Sequence, residues 1–231
     1  MKNRDYLSVV YDKKRTPVSD YPQQLAGYLS KRFNLKKGMQ FLEIGSGRGD
    51  FVKEFQHYGM VCSAVDRQAG LNYPGVKFFP CDILKDRLPF GDSTFDVVFH
   101  KSLVEHLYEP DNLMKETYRV LKNSGKLIIL TPDWESQMKV FYEDFTHSRP
   151  YTVLAMSDLL KVYNFRAVTA EKFYQLPPFW RHRFLLIFAK VLQLFFPVKA
   201  ARWLTEKTGW KFFRFSVELM ILGYGEKNSA D

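Results

Sequence analysis

The residues best placed to do chemistry stand in one short run, Phe41-Leu42-Glu43-Ile44-Gly45-Ser46-Gly47-Arg48-Gly49-Asp50-Phe51. An apolar, strand-like stretch reaches an acid and then passes three glycines at alternate positions before a helix-like stretch opens. Glycine tolerates positive φ and lets a ligand approach the backbone closely. In doubly wound sheets the crevice beyond the carboxyl end of a strand is where ligands bind. The run therefore reads as a ligand cradle, and its spacing excludes two common ones. The dinucleotide fingerprint G-x-G-x-x-G needs glycine at position 50, where Asp50 stands, and a P-loop needs Gly-Lys-Ser/Thr, which is absent. Two more acids close strand-like segments downstream, Asp66 in Ala64-Val65-Asp66 and Asp82 in Cys81-Asp82-Ile83. Ionised carboxylates at such ends offer several acceptor positions to a ligand's donors.

These residues need a frame to hold them. Strand-like runs appear at Gln40–Ile44, Val61–Val65, Val76–Phe79, Phe95–Phe99, Lys126–Thr131, Ala167–Phe173 and Phe215–Leu222. Helical patterns fall at Tyr21–Phe33, Asp50–Tyr58, Asp111–Leu121 and Ser157–Tyr163, the last opening at a Ser N-cap. Strands alternating with helices imply parallel βαβ units. The expected fold is α/β: a doubly wound, Rossmann-like, seven-stranded and mostly parallel sheet with helices on both faces. A helical insertion precedes the last strand. Residues 1–37 read as a basic N-terminal cap segment on a domain spanning 38–231, with 133–156 and 175–214 as additions facing an acceptor or a membrane.

The glycine run resembles motif I, E/D-x-G-x-G-x-G, of the class I S-adenosylmethionine-dependent methyltransferases, type 11 among them. Leu88-Pro89-Phe90 with Ser93-Thr94-Phe95-Asp96-Val97-Val98 resembles that family's entry to strand four. Tyr118-Arg119-Val120-Leu121-Lys122-Asn123-Ser124-Gly125-Lys126-Leu127 resembles its turn into strand five, with Asn123 and Ser124 replacing Pro and Gly. The resemblance covers about residues 38–133 and implies S-adenosyl-L-methionine as cofactor. It assigns Glu43, Gly45, Ser46, Gly47 and Gly49 to the cofactor loop and Asp66 to both ribose hydroxyls. Asp82 goes to the adenine amino group and Ile83 to the ring face, and His100 joins the cofactor-binding set.

Methyl transfer from a sulfonium requires the acceptor to be held in line, and a base only where the acceptor must lose a proton. His100, Lys101, Glu105 and His106 follow strand four, and His147 and Arg149 follow strand five. His147 is the expected base, because imidazole titrates near neutrality. Arg149 could grip a phosphate or carboxylate through a bidentate fork. Glu105-His106 also resembles part of the E-x-x-E-H metal motif of some ubiquinone-pathway and small-RNA methyltransferases. Ser102 occupies the first Glu position, so no metal is expected, although Glu105, His106 and His147 would together offer ligands suited to a divalent cation.

With 231 residues, 46% hydrophobic and 26% charged, the chain lies outside the composition range of disorder. Cys62 and Cys81 have apolar neighbours, and two cysteines cannot build a disulfide scaffold, which points to buried thiols in a reducing compartment. No secretory h-region stands at Met1–Val10, so a cytoplasmic protein is expected, peripheral on the inner face of a membrane if it binds one. The net charge of +9 divides into +6 over residues 1–37, −4 over 38–160 and +7 over 161–231. Basic ends around a mildly acidic centre fit an anionic partner. From Phe184 to Phe196 a broad apolar arc faces Arg183, Lys190 and Gln193, the pattern of an interfacial helix or of one packed on a partner. A Thr-Pro-Asp end to strand five, a His-x-Arg-Pro-Tyr-Thr stretch and an apolar basic tail resemble methyltransferases of bacterial surface-polysaccharide and glycolipid biosynthesis.

The expected activity is therefore O-methylation of a sugar or other hydroxyl on a glycolipid or phosphorylated acceptor, with peripheral membrane contact through 179–214. Two alternatives stand beside it: methylation of an apolar small molecule such as a quinone or polyketide, and a non-catalytic cofactor-binding scaffold. Nucleic acid is disfavoured, since no Asn/Asp-Pro-Pro-Tyr/Phe motif is present.

Overall fold

A computed structural model describes residues 19–68, 72–182 and 184–229. Its centre is a seven-stranded sheet in the order β3-β2-β1-β4-β5-β7-β6. The strands are β1 (Gln40–Ile44), β2 (Val61–Asp66), β3 (Lys77–Pro80), β4 (Phe95–Lys101), β5 (Leu121–Pro132), β6 (Arg166–Phe173) and β7 (Met220–Glu226). The first five pair in parallel, and β7 runs antiparallel to both neighbours. Because β1 leads to β2 on one side while β4 pairs on the other, the chain order reverses between β1 and β4. That is the switch point at which a crevice opens.

Strand periodicity decides what each face holds. Leu42 and Ile44 enter one core with Val98, Leu127 and Ile129; Phe41 enters the other with Val97, Phe99, Ile128 and Leu130. The first face is covered by α3 (Asp111–Val120) and α5 (Val153–Val162), which supply Leu113, Met114, Met156 and Leu160. The second is covered by α1 (Tyr21–Arg32) and α2 (Asp50–His57), through Leu25, Leu29, Val52 and Phe55. Phe41, Phe55 and Phe99 form an aromatic cluster at the centre of this face. Each such fully buried side chain contributes about 1.5–3 kcal/mol. Cys62 and Cys81 are buried and make no disulfide.

Several boundaries differ from those expected. The last strand starts at Met220 rather than Phe215, because Lys211–Val217 is a helix whose Val217 joins a small cluster with Val140, Val198 and Ala201. It also continues through Gly223 and Gly225. A Cβ at either glycine would stand 2.8 Å from Met156 or Phe165, so α5 and the turn after it pack directly on bare backbone. The helix expected from Ser157 begins at Val153, where the Thr152 hydroxyl accepts the Ala155 N–H. Strand five begins at Leu121, five residues before the apolar run. Of the basic cap, residues 1–18 lie outside the described residues, and 19–37 contain α1, which is part of the core.

Between β5 and α5 lie α4 (Trp134–Gln137) and a 3-10 turn, Phe141–Glu143; between β6 and β7 lie α6 (Pro177–Arg181), α7 (Leu185–Phe195), α8 (Val198–Thr208) and α9 (Lys211–Val217). Arg202 of α8 pairs with Glu143 and with the buried Glu218, tying the two connections together. Among the described residues no helix is long and apolar enough to cross a membrane.

Candidate active site

A cleft of about 840 Å³ opens at the carboxyl ends of β1, β2 and β4. That is ample for a nucleoside-sized ligand and a second molecule. Its floor is the glycine run. Gly45, Gly47 and Gly49 have φ of 74°, 50° and 73°, conformations that side chains resist, and Gly49 in that conformation starts α2. A Cβ on Gly45 would meet Leu103 at 3.0 Å, whereas one on Gly47 would meet nothing within 4 Å. The backbone at Gly47 therefore borders open space.

The acids hold this loop in shape. The Gly47 N–H donates to Asp66 Oδ2 at 2.8 Å and the Gln68 N–H to Oδ1 at 3.0 Å, so Asp66 spans the gap between the two strand ends. Glu43 is buried and accepts the Val52 N–H at 2.7 Å, near the start of α2. Burial pushes its carboxyl well above the usual range, and the nearby Asp50 and Asp66 charges push the same way. Asp82 lines the opposite wall beside the buried Ile83 and accepts the Leu84 N–H. Two buried hydroxyls on the cleft, Ser46 Oγ and Tyr21 Oη, have no hydrogen-bond partner among the described residues. Orphaned polar atoms beside an open glycine cradle fit a ligand rich in donors and acceptors, as a nucleoside sulfonium is.

Of the remaining expected site residues, His100 is misplaced. Alternation along β4 turns it away from the cleft into the core with Val98, where neither ring nitrogen has a partner. Burial lowers its pKa to about 3, so it is a neutral core group. Its neighbour Lys101 faces the cleft, over the Phe51 ring at 5.4 Å and 3.4 Å from Ser102 Oγ. Burial lowers the Lys101 pKa, opposed by Glu105 and Glu43. Ser102 holds a left-handed backbone, φ 53°, a strain of the kind that collects at functional sites.

His147 and Arg149 also differ from expectation, because neither lines the cleft. Their segment is drawn behind the Val104–His106 turn: Ser148 and Arg149 N–H groups donate to the Glu105 carbonyl at 2.9 and 3.0 Å, and Arg149 Nη1 reaches the Tyr108 carbonyl. His106 is the imidazole that walls the cleft, 4.8 Å ring to ring from His147. Burial and the adjacent His147 lower the His106 pKa to about 4, and burial raises that of Glu105 to about 7. The other side of the cleft comes from Tyr21 of α1 and from the addition expected at 175–214 to face an acceptor or a membrane, through Gln175, Leu176, Pro177, Thr205 of α8, and Lys211 and Arg214 of α9, with Phe215 just beyond it.

The methyltransferase-domain family matches residues 42–129, the stretch from β1 into β5 that builds this cleft. Residues 42–129 of the chain form a methyltransferase domain of the class I S-adenosylmethionine-dependent type. S-adenosyl-L-methionine is the cofactor of this methyltransferase. An uncharacterized protein of Methanocaldococcus jannaschii is 29% identical over 74% of each chain. The sterol 4-C-methyltransferase of Caenorhabditis elegans is 27% identical over 52% of this chain and 40% of its own. Among solved structures, the Haemonchus contortus phosphoethanolamine N-methyltransferase 2 in complex with S-adenosyl-L-methionine superposes with a TM-score of 0.66 at 19% identity, over 97% of this methyltransferase and 60% of that chain. That likeness shows the shared fold.

Proposed function

We propose that the methyltransferase transfers a methyl group to a hydroxyl, of a sugar or another alcohol, on a phosphorylated or lipid-linked acceptor. The observation that carries this reading is the cationic acceptor side of the cleft. Lys211 and Arg214 from α9 and Lys101 from β4 all line the cleft, as does Thr205. Arg214 also pairs with Glu218 at 2.9 Å, which orients it, while Lys211 is exposed. Three cations around one concavity favour an anionic group, because the protein walls screen them less than bulk water does. The structural neighbour named for phosphoethanolamine, itself a phosphorylated compound, supports an acceptor of this charge.

The cofactor supplies the methyl group and a neutral sulfide as leaving group. The chain's residues do the rest. In this reading Asp66, Asp82, Ile83 and the glycine loop hold the nucleoside, Glu43 braces the loop through Val52, and the cations fix the acceptor so that its oxygen meets the methyl in line. Of the two imidazoles, His106 and not His147 lines the cleft where the acceptor would sit. A second reading, an apolar acceptor, rests on Leu176, Pro177 and Phe215 in the same wall and on the sterol enzyme among the relatives.

Methyl transfer from labelled cofactor to phosphorylated sugars, lipid-linked sugars and quinones separates the two readings. We expect labelled product from the anionic set. Lys211→Ala should lower kcat/KM for it roughly ten-fold or more, the scale of one lost hydrogen bond to a charged group, with cofactor affinity unchanged. Product from quinones alone, insensitive to Lys211→Ala, would overturn the anionic reading.

A further inference from the structure

Glu105, His106 and His147 bring one carboxylate oxygen and two imidazole nitrogens within 4.8 Å of one another. The sequence places His147 far from the other two; the fold closes the distance by hanging its segment on the Glu105 carbonyl. Hydrogen bonds then fix both rings. The Phe141 carbonyl 2.7 Å from His147 Nδ1 can only accept, so Nδ1 carries the proton and Nε2 the lone pair. Thr146 gives its hydroxyl hydrogen to Asp144 Oδ1 at 2.7 Å, so its oxygen accepts from His106 Nδ1 at 2.8 Å, and His106 likewise keeps its lone pair on Nε2. Imidazoles anchored through Nδ1–H to a carbonyl or to a hydroxyl–carboxylate pair have the outer support typical of metal ligands.

Glu105 adds an independent observation. Its Oε2 accepts from Thr131 Oγ1 at 2.9 Å, while Oε1, on a side chain with no exposed surface, has no hydrogen-bond partner among the described residues. A second carboxylate, Asp144, stands 4.0 Å from His147 Nε2. A buried carboxylate oxygen with no hydrogen-bond partner among the described residues, set beside oriented imidazoles, is a donor set that a cation would complete.

We propose that Glu105, His106 and His147 bind one divalent transition cation. Two imidazoles and one carboxylate suit Zn²⁺ and its neighbours, and they leave coordination positions unfilled by protein. Two ligands about 2.1 Å from one ion stand at most about 4.2 Å apart, so the set must close by as much as about 0.6 Å, within the reach of side-chain rotation. Ser102 at the position of the first motif glutamate argued against a metal; His147, brought in from the next connection, fills the set instead. His106 belongs both to this cluster and to the cleft wall, so the ion would stand beside the acceptor oxygen. That role rests on the function proposed above, whereas the binding does not.

The test uses chelator-stripped full-length protein. Zn²⁺ is titrated against a chromophoric chelator, Mg²⁺ is titrated in parallel, and Co²⁺ is followed by its visible absorption. Expected are one equivalent of Zn²⁺ at micromolar affinity or tighter, weaker Mg²⁺ binding, and a Co²⁺ spectrum of four or five coordination. Glu105→Gln and His147→Asn should each weaken Zn²⁺ at least ten-fold. S-adenosylmethionine affinity, measured on the same samples, should be retained, which shows that the variants fold and tests the cofactor reading separately. Absence of saturable binding, an octahedral hexa-aqua Co²⁺ spectrum in the unaltered protein, or Zn²⁺ affinity indifferent to both substitutions would overturn the proposal. The Co²⁺ spectrum keeps the test decisive if a variant does not fold.

Discussion

At the scale of single residues, the same carboxylate braces the loop and, in our reading, meets the cofactor. Asp66 accepts from Gly47 and Gln68 while lining the cleft, so Asp66→Ala removes a loop brace and a ribose acceptor together. We expect a loss of about 2–3 kcal/mol in S-adenosylmethionine affinity by calorimetry, the size of hydrogen bonds to a charged group. Unchanged affinity would take Asp66 out of the ribose role. His100 tests burial rather than binding. Its folded pKa of about 3 lies below the unfolded value of about 6.5, so between those values the unfolded chain binds the extra proton. This residue's contribution to stability is therefore intact above pH 6.5 and falls as the pH drops towards 3. Glu105, with its pKa raised, acts in the opposite sense at higher pH, so the difference between two profiles isolates His100. His100→Leu should be about as stable as the unaltered protein or more so at pH 7, and by pH 5 its relative gain should grow by about 2 kcal/mol. Parallel denaturation profiles at the two pH values would show that His100 is not held neutral.

At the scale of elements, the turn entering strand five shows what sequence pattern conveys and what it leaves out. Ser124 stands where the related turn carries glycine, and its φ is 58°. A left-handed non-glycine residue costs about 1–2 kcal/mol, less the chain entropy that glycine adds. Ser124→Gly should thus stabilise the fold by about 0.5–1 kcal/mol, read as a shift of about 1–3 °C in Tm, even though it gives up the Arg166 hydrogen bond to the Ser124 hydroxyl. A lower Tm would mean that this bond outweighs the strain. The parallel strands and the glycine loop were legible because their signals are local: β-branched runs, turn residues, three glycines. His100 was misjudged because adjacent strand positions face opposite sides, and only the register with β5 tells which of His100 and Lys101 meets the cleft. His147 was misjudged because a loop's direction depends on carbonyls elsewhere, here that of Glu105. The last strand was cut short at Gly223, where absence of a side chain is a packing requirement set by Met156 and leaves no apolar pattern.

At the scale of the whole molecule, the insertion faces two ways. Its inner residues, Thr205, Lys211 and Arg214, close the acceptor side of the cleft. Outward, α7 presents Ile187, Phe188, Val191, Leu194 and Phe195, with Phe184 at its start, all but Val191 more than half exposed. The arc read from the sequence as interfacial or packed on a partner is therefore on the solvent side. Gln193, expected among the polar residues of the opposite face, turns inward instead and donates to the Ser216 carbonyl at 2.7 Å. Trp203 and Trp210 are exposed on the neighbouring segments, and Arg181, Lys190, Lys199 and Lys207 supply exposed positive charge. Apolar side chains flanked by lysines and tryptophans match an anionic bilayer surface, where burial and charge attraction add. The full-length protein should float with anionic vesicles, bind neutral ones more weakly, and lose the difference as salt rises, because exposed charges are screened within about 10 Å at 0.1 M. Ile187→Asp with Leu194→Asp should abolish flotation while leaving cofactor affinity intact, since both side chains point away from the cleft. Flotation that survives this pair, or its absence on anionic vesicles, would remove the bilayer from the account. A concentration-dependent dimer lost on the same double substitution would assign the face to a second copy of the chain. If the bilayer is the partner, the cleft wall built by Thr205, Lys211 and Arg214 belongs to the same insertion that anchors the protein, and a lipid-linked acceptor could reach the methyl donor without leaving the membrane.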